Sequence, residues 1–132
     1  NSAIKRERLP ILRATLRLTA GERSEISERI AERIEDRKIK HPDYRVVPTA
    51  GSFFKNPLDS DGKRVAAGKL LDECGCRGMR VGRATTWHRH ANIIVADGKS
   101  SYTEVRSLAA MMAAKVREKF GISLENEVIF LD

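Results

Sequence analysis

The chain has 132 residues, 41% of them apolar, which is typical of one globular domain with a single core. Its 25 Lys and Arg residues against 18 Asp and Glu residues give a net charge of +7, an excess that favours phosphate-bearing partners such as nucleotides or nucleic acid. No apolar run approaches the roughly 20 residues that a membrane-spanning helix needs, so we do not expect the chain to enter a membrane.

The first predicted elements are a strand and a helix. Apolar and polar residues alternate over residues 9–18, which is the period-two pattern of a half-buried strand. Thr19 and Glu22 then have the spacing of a capping box, which predicts a helix that ends near Lys40. This helix carries one narrow apolar stripe formed by Ile26, Ile30 and Ile34. Because charged residues surround the stripe, most of the helix is expected to be exposed.

The remaining sequence predicts further helices and strands in alternation. Residues 49–57 begin as a strand and run into a turn. They are followed by a helix over 65–74, strands over 79–84 and 92–96, a helix from Ser100 or Ser101 to Phe120, and a strand over 126–131. The continuous apolar run at 92–96 predicts a central strand. The predicted fold is a single α+β domain of order β-α-β-α-β-β-α-β, with helices packed on a small sheet.

Residues 49–57, with the sequence TAGSFFKNP, are the most unusual local stretch. Gly51 can adopt backbone angles closed to other residues, and Asn56 is kept out of the helical region by the proline that follows it. Between them lie the hydroxyl of Ser52 and the cation of Lys55, so the stretch could bind an anionic, hydrogen-bonding ligand. The residue types alone favour the simpler interpretation, a strand end that enters a turn.

Other candidates for chemistry are weaker. Cys74 and Cys76 lack the partners of a disulfide framework or a zinc site, and they predict reduced thiols in a cytoplasmic protein. His88 and His90 could share a face, but no third metal ligand is evident, so no metal is predicted. Glu127 is either an exposed strand-end residue or a carboxylate that faces a pocket.

A small basic nucleic-acid-binding domain is the alternative function. The long predicted helix carries cations that do not form one stripe and are not interleaved with aromatic residues, so this alternative is weakly supported. These cations are Arg106, Lys115, Arg117 and Lys119.

Four segments in order resemble the C-terminal part of the UDP-N-acetylenolpyruvoylglucosamine reductase (MurB) family, flavoenzymes of peptidoglycan precursor synthesis. They are residues 50–57 (AGSFFKNP), 67–72 (AGKLLD) followed by Gly78, 90–95 (HANIIV) and 120–128 (FGISLENEV). The resemblance implies an oxidoreductase in which NADPH reduces FAD, and the flavin reduces UDP-N-acetylglucosamine enolpyruvate to UDP-N-acetylmuramate. It also implies that Ser52 is the general acid, that Glu127 stabilises the enolate-like intermediate, and that Lys55 and Asn56 bind substrate.

The resemblance also implies a domain organisation. Residues 1–18 would be the end of the linker or strand after a missing FAD-binding region, and residues 19–132 the substrate-binding domain. The FAD-binding domain would then be the natural partner of this chain, which would be inactive without it. The short segment between Pro57 and Ala67 is similar to the loop-less subtype. Ile129, where many members have a basic residue, and Arg83, where many have a second glycine, depart from the family pattern.

Overall fold

The computed structural model describes residues 10–131. The chain forms two compact units, one that ends at Glu32 and one that begins at Arg33, and the boundary falls within helix α1 (Arg23–Lys40). The helix ends where the sequence predicts, but it begins at Arg23, so Thr19 is too distant to cap it. No residue of α1 is buried, and Ile30 and Ile34 on its apolar stripe are half exposed.

The predicted first strand is wrong over its described part. Residues 10–18 form no regular element, and all of them are exposed; residue 9 lies outside the described residues. A strand needs a neighbouring backbone for its N–H and C=O groups, whereas an alternating sequence specifies only which face would be apolar.

The sheet contains four antiparallel strands within the described residues, in the spatial order β1-β4-β3-β2. The strands are β1 (Thr49–Ser52), β2 (Arg80–Val81), β3 (Ala84–Thr86) and β4 (Ile93–Val95). The predicted central location of the 92–96 strand is confirmed, since β4 lies between β1 and β3. The single strand predicted over 79–84 is wrong: it turns back on itself as the β2–β3 hairpin at Gly82, which has a φ of 55°.

Strand β1 contains a bulge where it pairs with β4. Thr49 lies opposite Val95 and Ser52 opposite Ile93, so four residues of β1 match three of β4. Gly51 in this stretch has a φ of 79°, the left-handed conformation that a glycine commonly supplies at a bulge. Its N–H donates a hydrogen bond to Thr49 Oγ1 at 3.2 Å.

The helices that pack on the sheet are α2 (Ala67–Glu73) and α3 (Tyr102–Phe120). The capping prediction for α3 is confirmed, because Ser101 and Glu104 form a capping box and Gly121 ends the helix in the left-handed conformation. The buried side chains of α3 are Leu108, Ala109, Met112 and Val116. They pack with Phe53, Phe54, Leu70, Leu71 and Ile94 in the hydrophobic core.

The predicted last strand, residues 126–131, is also wrong. Only Asn126 forms a bridge, with Phe54, and the residues after it have no strand pairing. Phe130 instead packs its ring 6.0 Å from that of Phe53 and 5.3 Å from that of Tyr102. The Phe130 side chain therefore packs against other aromatic rings although its backbone forms no strand. The α+β class is confirmed, but the two end strands of the predicted order are absent from the described residues.

No helix in the part of the chain that the structure describes is both long and apolar enough to cross a membrane.

Candidate functional site

Ser52 and Glu127 line the same cleft, although 75 positions separate them in the sequence. The cleft has a volume of about 620 Å³, and its lining includes Ala50, Val128 and Ile129. We call it the serine cleft. Both Ser52 and Glu127 are exposed, so the hydroxyl and the carboxylate can reach a molecule that enters the cleft.

The position of Ser52 is fixed by its neighbours in the chain. Ser52 ends β1 opposite Ile93, and the next two residues, Phe53 and Phe54, are each 2% exposed. The Phe53 N–H donates to the backbone C=O of Asn92 at 2.8 Å. The Asn92 side-chain amide forms two hydrogen bonds with the Phe54 backbone, each of 2.9 Å. The serine is thus carried by a backbone that is anchored in the core.

Glu127 is attached to the other edge of the same segment. Its N–H donates to the Phe53 C=O at 2.8 Å, and the Lys55 N–H donates to the Glu125 C=O at 2.8 Å. These backbone hydrogen bonds place Glu127 beside Ser52 even though no strand forms there. Ile129, one of the departures from the family pattern, also lines the cleft, where it contributes an apolar side chain.

Lys55 and Asn56, the other predicted site residues, have partners within the fold. The ammonium of Lys55 forms an ion pair with Glu125. Asn56 Oδ1 accepts the N–H of Ala67 at 3.0 Å and so caps the first turn of α2, although it lies 11 positions earlier in the sequence. Both side chains are exposed, but neither belongs to the described lining of the serine cleft.

A second cleft, of about 440 Å³, is lined in part by Thr49 and Gly51, the two β1 residues that do not line the serine cleft, and it was not predicted from the sequence. Its lining consists of Ile34, Arg37, Lys38, His41, Pro42, Asp43, Tyr44, Arg45, Thr49, Gly51 and Ile93. We call it the basic cleft, because it has three cations (Arg37, Lys38 and Arg45) against one carboxylate. That carboxylate, Asp43, forms an ion pair with Arg45 at 3.0 Å, and this contact lowers the pKa of Asp43. The concentration of cations within nine residues was the only available sequence signal.

His41, which lines the basic cleft, lies next to His90, which is outside its described lining. The rings of His41 and His90 are 5.4 Å apart. Burial lowers the pKa of His41, and the nearby Arg37 lowers it further. Burial also lowers the pKa of His90, with a further contribution from His41, and the His90 Nδ1 accepts the N–H of Asn92 at 3.2 Å. Both imidazoles are therefore held in the neutral form more strongly than in water.

His88 and His90 have different surroundings. His88 is exposed and its ring is tilted against that of Trp87, with ring centroids 4.3 Å apart, whereas His90 is half-buried against His41. Across residues 10–131, no group of three His, Cys, Asp or Glu side chains is arranged to hold a metal ion.

Two of the four cations of α3 are engaged with neighbouring groups of the fold. The guanidinium of Arg106 lies 5.7 Å from the ring centroids of both Tyr102 and Phe130. Lys119 Nζ donates to the Glu73 C=O at 2.5 Å. These contacts give no support to a nucleic-acid-binding surface on this helix.

A comparison with known families and proteins gives a consistent result. Residues 41–131 match the family model described as UDP-N-acetylenolpyruvoylglucosamine reductase, C-terminal domain. A UDP-N-acetylenolpyruvoylglucosamine reductase from Caldicellulosiruptor bescii is 36% identical over 133 residues, covering 99% of this chain and 40% of the relative. One from Geotalea uraniireducens is 41% identical, covering 89% of this chain and 37% of the relative. The chain therefore spans about two fifths of the length of these relatives.

A solved structure shows the same fold. The crystal structure of UDP-N-acetylenolpyruvylglucosamine reductase (MurB) from Thermus caldophilus matches 85% of this chain and 37% of its own, with 36% identity and a TM-score of 0.59.

Proposed function

Since the chain belongs to the UDP-N-acetylenolpyruvoylglucosamine reductase family, as its C-terminal domain, we propose that it binds the enolpyruvyl UDP-sugar and supplies the proton for its reduction to UDP-N-acetylmuramate. The observation that carries this proposal is the convergence of Ser52 and Glu127 on one cleft. A reduction of this kind needs a proton donor and a group that stabilises a carboxylate-derived anion, and these two side chains provide them.

The roles of the two side chains follow from the reaction. Addition of hydride to one carbon of the enolpyruvyl double bond leaves the electron pair delocalised into the neighbouring carboxylate as an enolate. Ser52 donates its hydroxyl proton to the other carbon, which completes the saturated lactyl ether, and it later regains a proton from solvent. Glu127 shares a proton with the substrate carboxylate, so that two negative charges do not face each other.

The hydride would come from reduced FAD, which NADPH regenerates. The described lining of the serine cleft has no cationic side chain that could hold the diphosphate of a dinucleotide. The serine cleft therefore does not fit FAD, and we assign the flavin to the part of the relatives that this chain does not span.

The UDP portion of the substrate requires cations and an apolar surface. The basic cleft offers both, with Arg37 and Lys38 beside the apolar Ile34 and Pro42. Lys55 would bind a phosphate only by exchanging Glu125 for it, and Asn56 would bind substrate through its amide nitrogen, because its oxygen caps α2. We propose that all of these residues act in substrate binding rather than in proton transfer.

The proposal is tested in a chimera that joins this chain to the N-terminal part of the Caldicellulosiruptor bescii relative. We expect oxidation of NADPH that depends on the enolpyruvyl UDP-sugar. Ser52→Ala should lower kcat by about 10²- to 10⁴-fold, because general acid catalysis contributes about this much. The control is Ser107→Ala, since Ser107 is exposed on α3 and alanine is a good helix former. Unchanged turnover in Ser52→Ala would refute the proton-donor role.

A further inference from the structure

Asn92 is a buried polar residue whose hydrogen bonds are all directed at the segment that carries the serine cleft or at its own loop. It is 3% exposed and immediately precedes β4. Its backbone N–H donates to His90 Nδ1, and its backbone C=O accepts the N–H of Phe53 at 2.8 Å. Its side-chain oxygen accepts the N–H of Phe54, and its side-chain nitrogen donates to the C=O of Phe54.

The two side-chain hydrogen bonds of Asn92 take the place of backbone pairing with a neighbouring strand. Regular pairing between β1 and β4 stops at Ser52 and Ile93, one residue short of Phe53. Beyond that point the amide of Asn92 offers one acceptor and one donor to Phe54, as the backbone of a neighbouring strand would. A side-chain amide is well suited to this because its C=O and NH₂ have the chemistry of a peptide group.

The opposite edge of the same segment holds Glu127. The Phe53 C=O accepts the N–H of Glu127, and the Lys55 N–H donates to the C=O of Glu125. The segment 53–55 therefore lies between the Asn92 amide on one side and residues 125–127 on the other. Any displacement of Phe54 moves Ser52, which precedes it, and Glu127, which is attached through Phe53.

We propose that Asn92 is a positioning residue that sets the distance between the Ser52 hydroxyl and the Glu127 carboxylate. The positioning of the two residues stands on the geometry alone, whereas its effect on catalysis rests on the function proposed above for this pair. Asn92 touches neither a reacting atom nor the described lining of the serine cleft. It acts through the backbone of Phe54.

The first test is amide hydrogen exchange, measured by NMR on the chain of 132 residues. Asn92→Leu keeps the branched shape of the side chain but removes both of its hydrogen bonds. We expect exchange at the amides of Phe54 and Glu127 to accelerate at least about tenfold more than at Met112 and Val116 in α3. Asn92→Asp keeps the acceptor for the Phe54 N–H but cannot donate to the Phe54 C=O, so its local effect on Glu127 should be present but smaller.

The matched control is Thr86→Val. Thr86 is fully buried in β3, and its hydroxyl donates to Met112 Sδ at 3.5 Å, so this change also removes a buried polar contact from the sheet. We expect it to leave the exchange of Phe54 and Glu127 in line with the rest of the fold. If Asn92→Leu accelerates exchange equally in α3 and in the 53–55 segment, the positioning role is overturned.

The second test is kinetic and uses the chimera. Asn92→Leu should lower kcat roughly 10- to 100-fold, because a displacement of about 1 Å in a catalytic group can have an effect of this size. The KM should change less than about threefold. In the Ser52→Ala background the same change should have little further effect on kcat, because the group that Asn92 positions is already gone. A merely structural residue would instead give losses that multiply, and that result would overturn the catalytic part of the proposal.

The two tests separate the two hypotheses. If the chimera without any substitution shows no substrate-dependent oxidation of NADPH, the proposed function is contradicted. The exchange measurements would still decide whether Asn92 positions Ser52 and Glu127.

Discussion

The four residues of strand β1 contribute alternately to two clefts of different chemistry. Ala50 and Ser52 contribute to the serine cleft, which has a hydroxyl and a carboxylate but no cation in its described lining. Thr49 and Gly51 contribute to the basic cleft, which has three cations. The three cations lie on α1 and in the turn after it, whereas Ser52 lies on the strand itself. The proton donor and the groups that would bind phosphate are thus carried by different elements that meet at β1.

The largest expected effect on turnover is in the serine cleft. In the chimera, Glu127→Gln should lower kcat by roughly 10²- to 10³-fold, since the amide cannot share a proton with the substrate carboxylate in the same way. The KM should change little, because the binding of UDP would reside in the other cleft. Steady-state kinetics with Glu118→Gln, an exposed residue of α3, provide the control. A large rise in KM with a normal kcat would mean that the two clefts do not divide proton transfer and binding as proposed.

A smaller effect, on the affinity for UDP, is expected in the basic cleft. Arg37→Gln should weaken the binding of UDP to the chain of 132 residues about tenfold, or about 1.4 kcal/mol, because it removes a cation from the basic cleft. Isothermal titration calorimetry at low salt measures this directly. Arg33→Gln, one helical turn earlier and outside the described lining, should leave the affinity within about twofold. Equal losses in both variants would indicate general attraction to a basic surface rather than binding in the cleft.

Gly51 lies between Ala50 and Ser52 of the serine cleft and itself lines the basic cleft, and its replacement should change the free energy of unfolding by a similar amount. An alanine would meet no atom within 4 Å, but the φ of 79° is strained for any residue with a Cβ. Gly51→Ala should therefore lower the free energy of unfolding by about 1–2 kcal/mol, which a urea titration can measure. Gly98→Ala, at a φ of 78° in a surface turn, should have a comparable cost, but only the change at Gly51 should also disturb both clefts. A Gly51→Ala protein as stable as the native chain would contradict the strained backbone.

The smallest expected effect is a pH dependence of the free energy of unfolding, which comes from His41 and His90. The folded-state pKa values of His41 and His90 are lowered from 6.5, so below pH 6.5 the unfolded chain binds more protons than the folded one. The contribution of these two histidines to the free energy of unfolding should thus be constant well above this pH and fall as the pH decreases from 6.5 through the folded pKa values. The pKa values of Asp97 and Glu104 are lowered from 3.8 and 4.5, so these carboxylates titrate at lower pH.

Urea titrations between pH 7.5 and 5.5 would measure this slope. In His41→Gln the slope should decrease, because one of the two titrating groups has been removed. His88→Gln is the control, since His88 is exposed. A slope of the opposite sign, with greater stability at pH 5.5, would show that the histidines gain protons more readily in the folded state.

Helix α3 was predicted most completely because its signals are local. Ser101 and Gly121 cap it within a few residues of its ends, and the spacing of Leu108, Met112 and Val116 defines its buried face. The strands predicted over 9–18 and 126–131 failed because a strand also needs a neighbouring backbone, and alternation carries no information about one. Within residues 126–131, the partly buried Phe130 packs against aromatic rings through its side chain, although its backbone forms no strand.

The site could be predicted only in part, and mainly through resemblance to a family. The residue types of 49–57 favoured a strand end, which β1 confirms, and gave no reason to bring Glu127 beside Ser52. That proximity depends on backbone hydrogen bonds between residues far apart in the chain, as does the cap that Asn56 provides to α2. The basic cleft was missed because its cations and its strand face meet only after the chain has folded. The catalytic and binding roles of Ser52, Glu127, Lys55 and Asn56 remain predictions.

The bulge in β1 adds one residue without changing which residues of the two strands are paired at its ends. β1 contains one residue more than the stretch of β4 opposite it. Deletion of Gly51 would leave Thr49 opposite Val95 and Ser52 opposite Ile93, with regular pairing between them. The chain would lose one left-handed residue and the hydrogen bond from the Gly51 N–H to Thr49 Oγ1, while Ser52 kept its partner on β4. The strand therefore tolerates a change in its length more readily than a shift of its register.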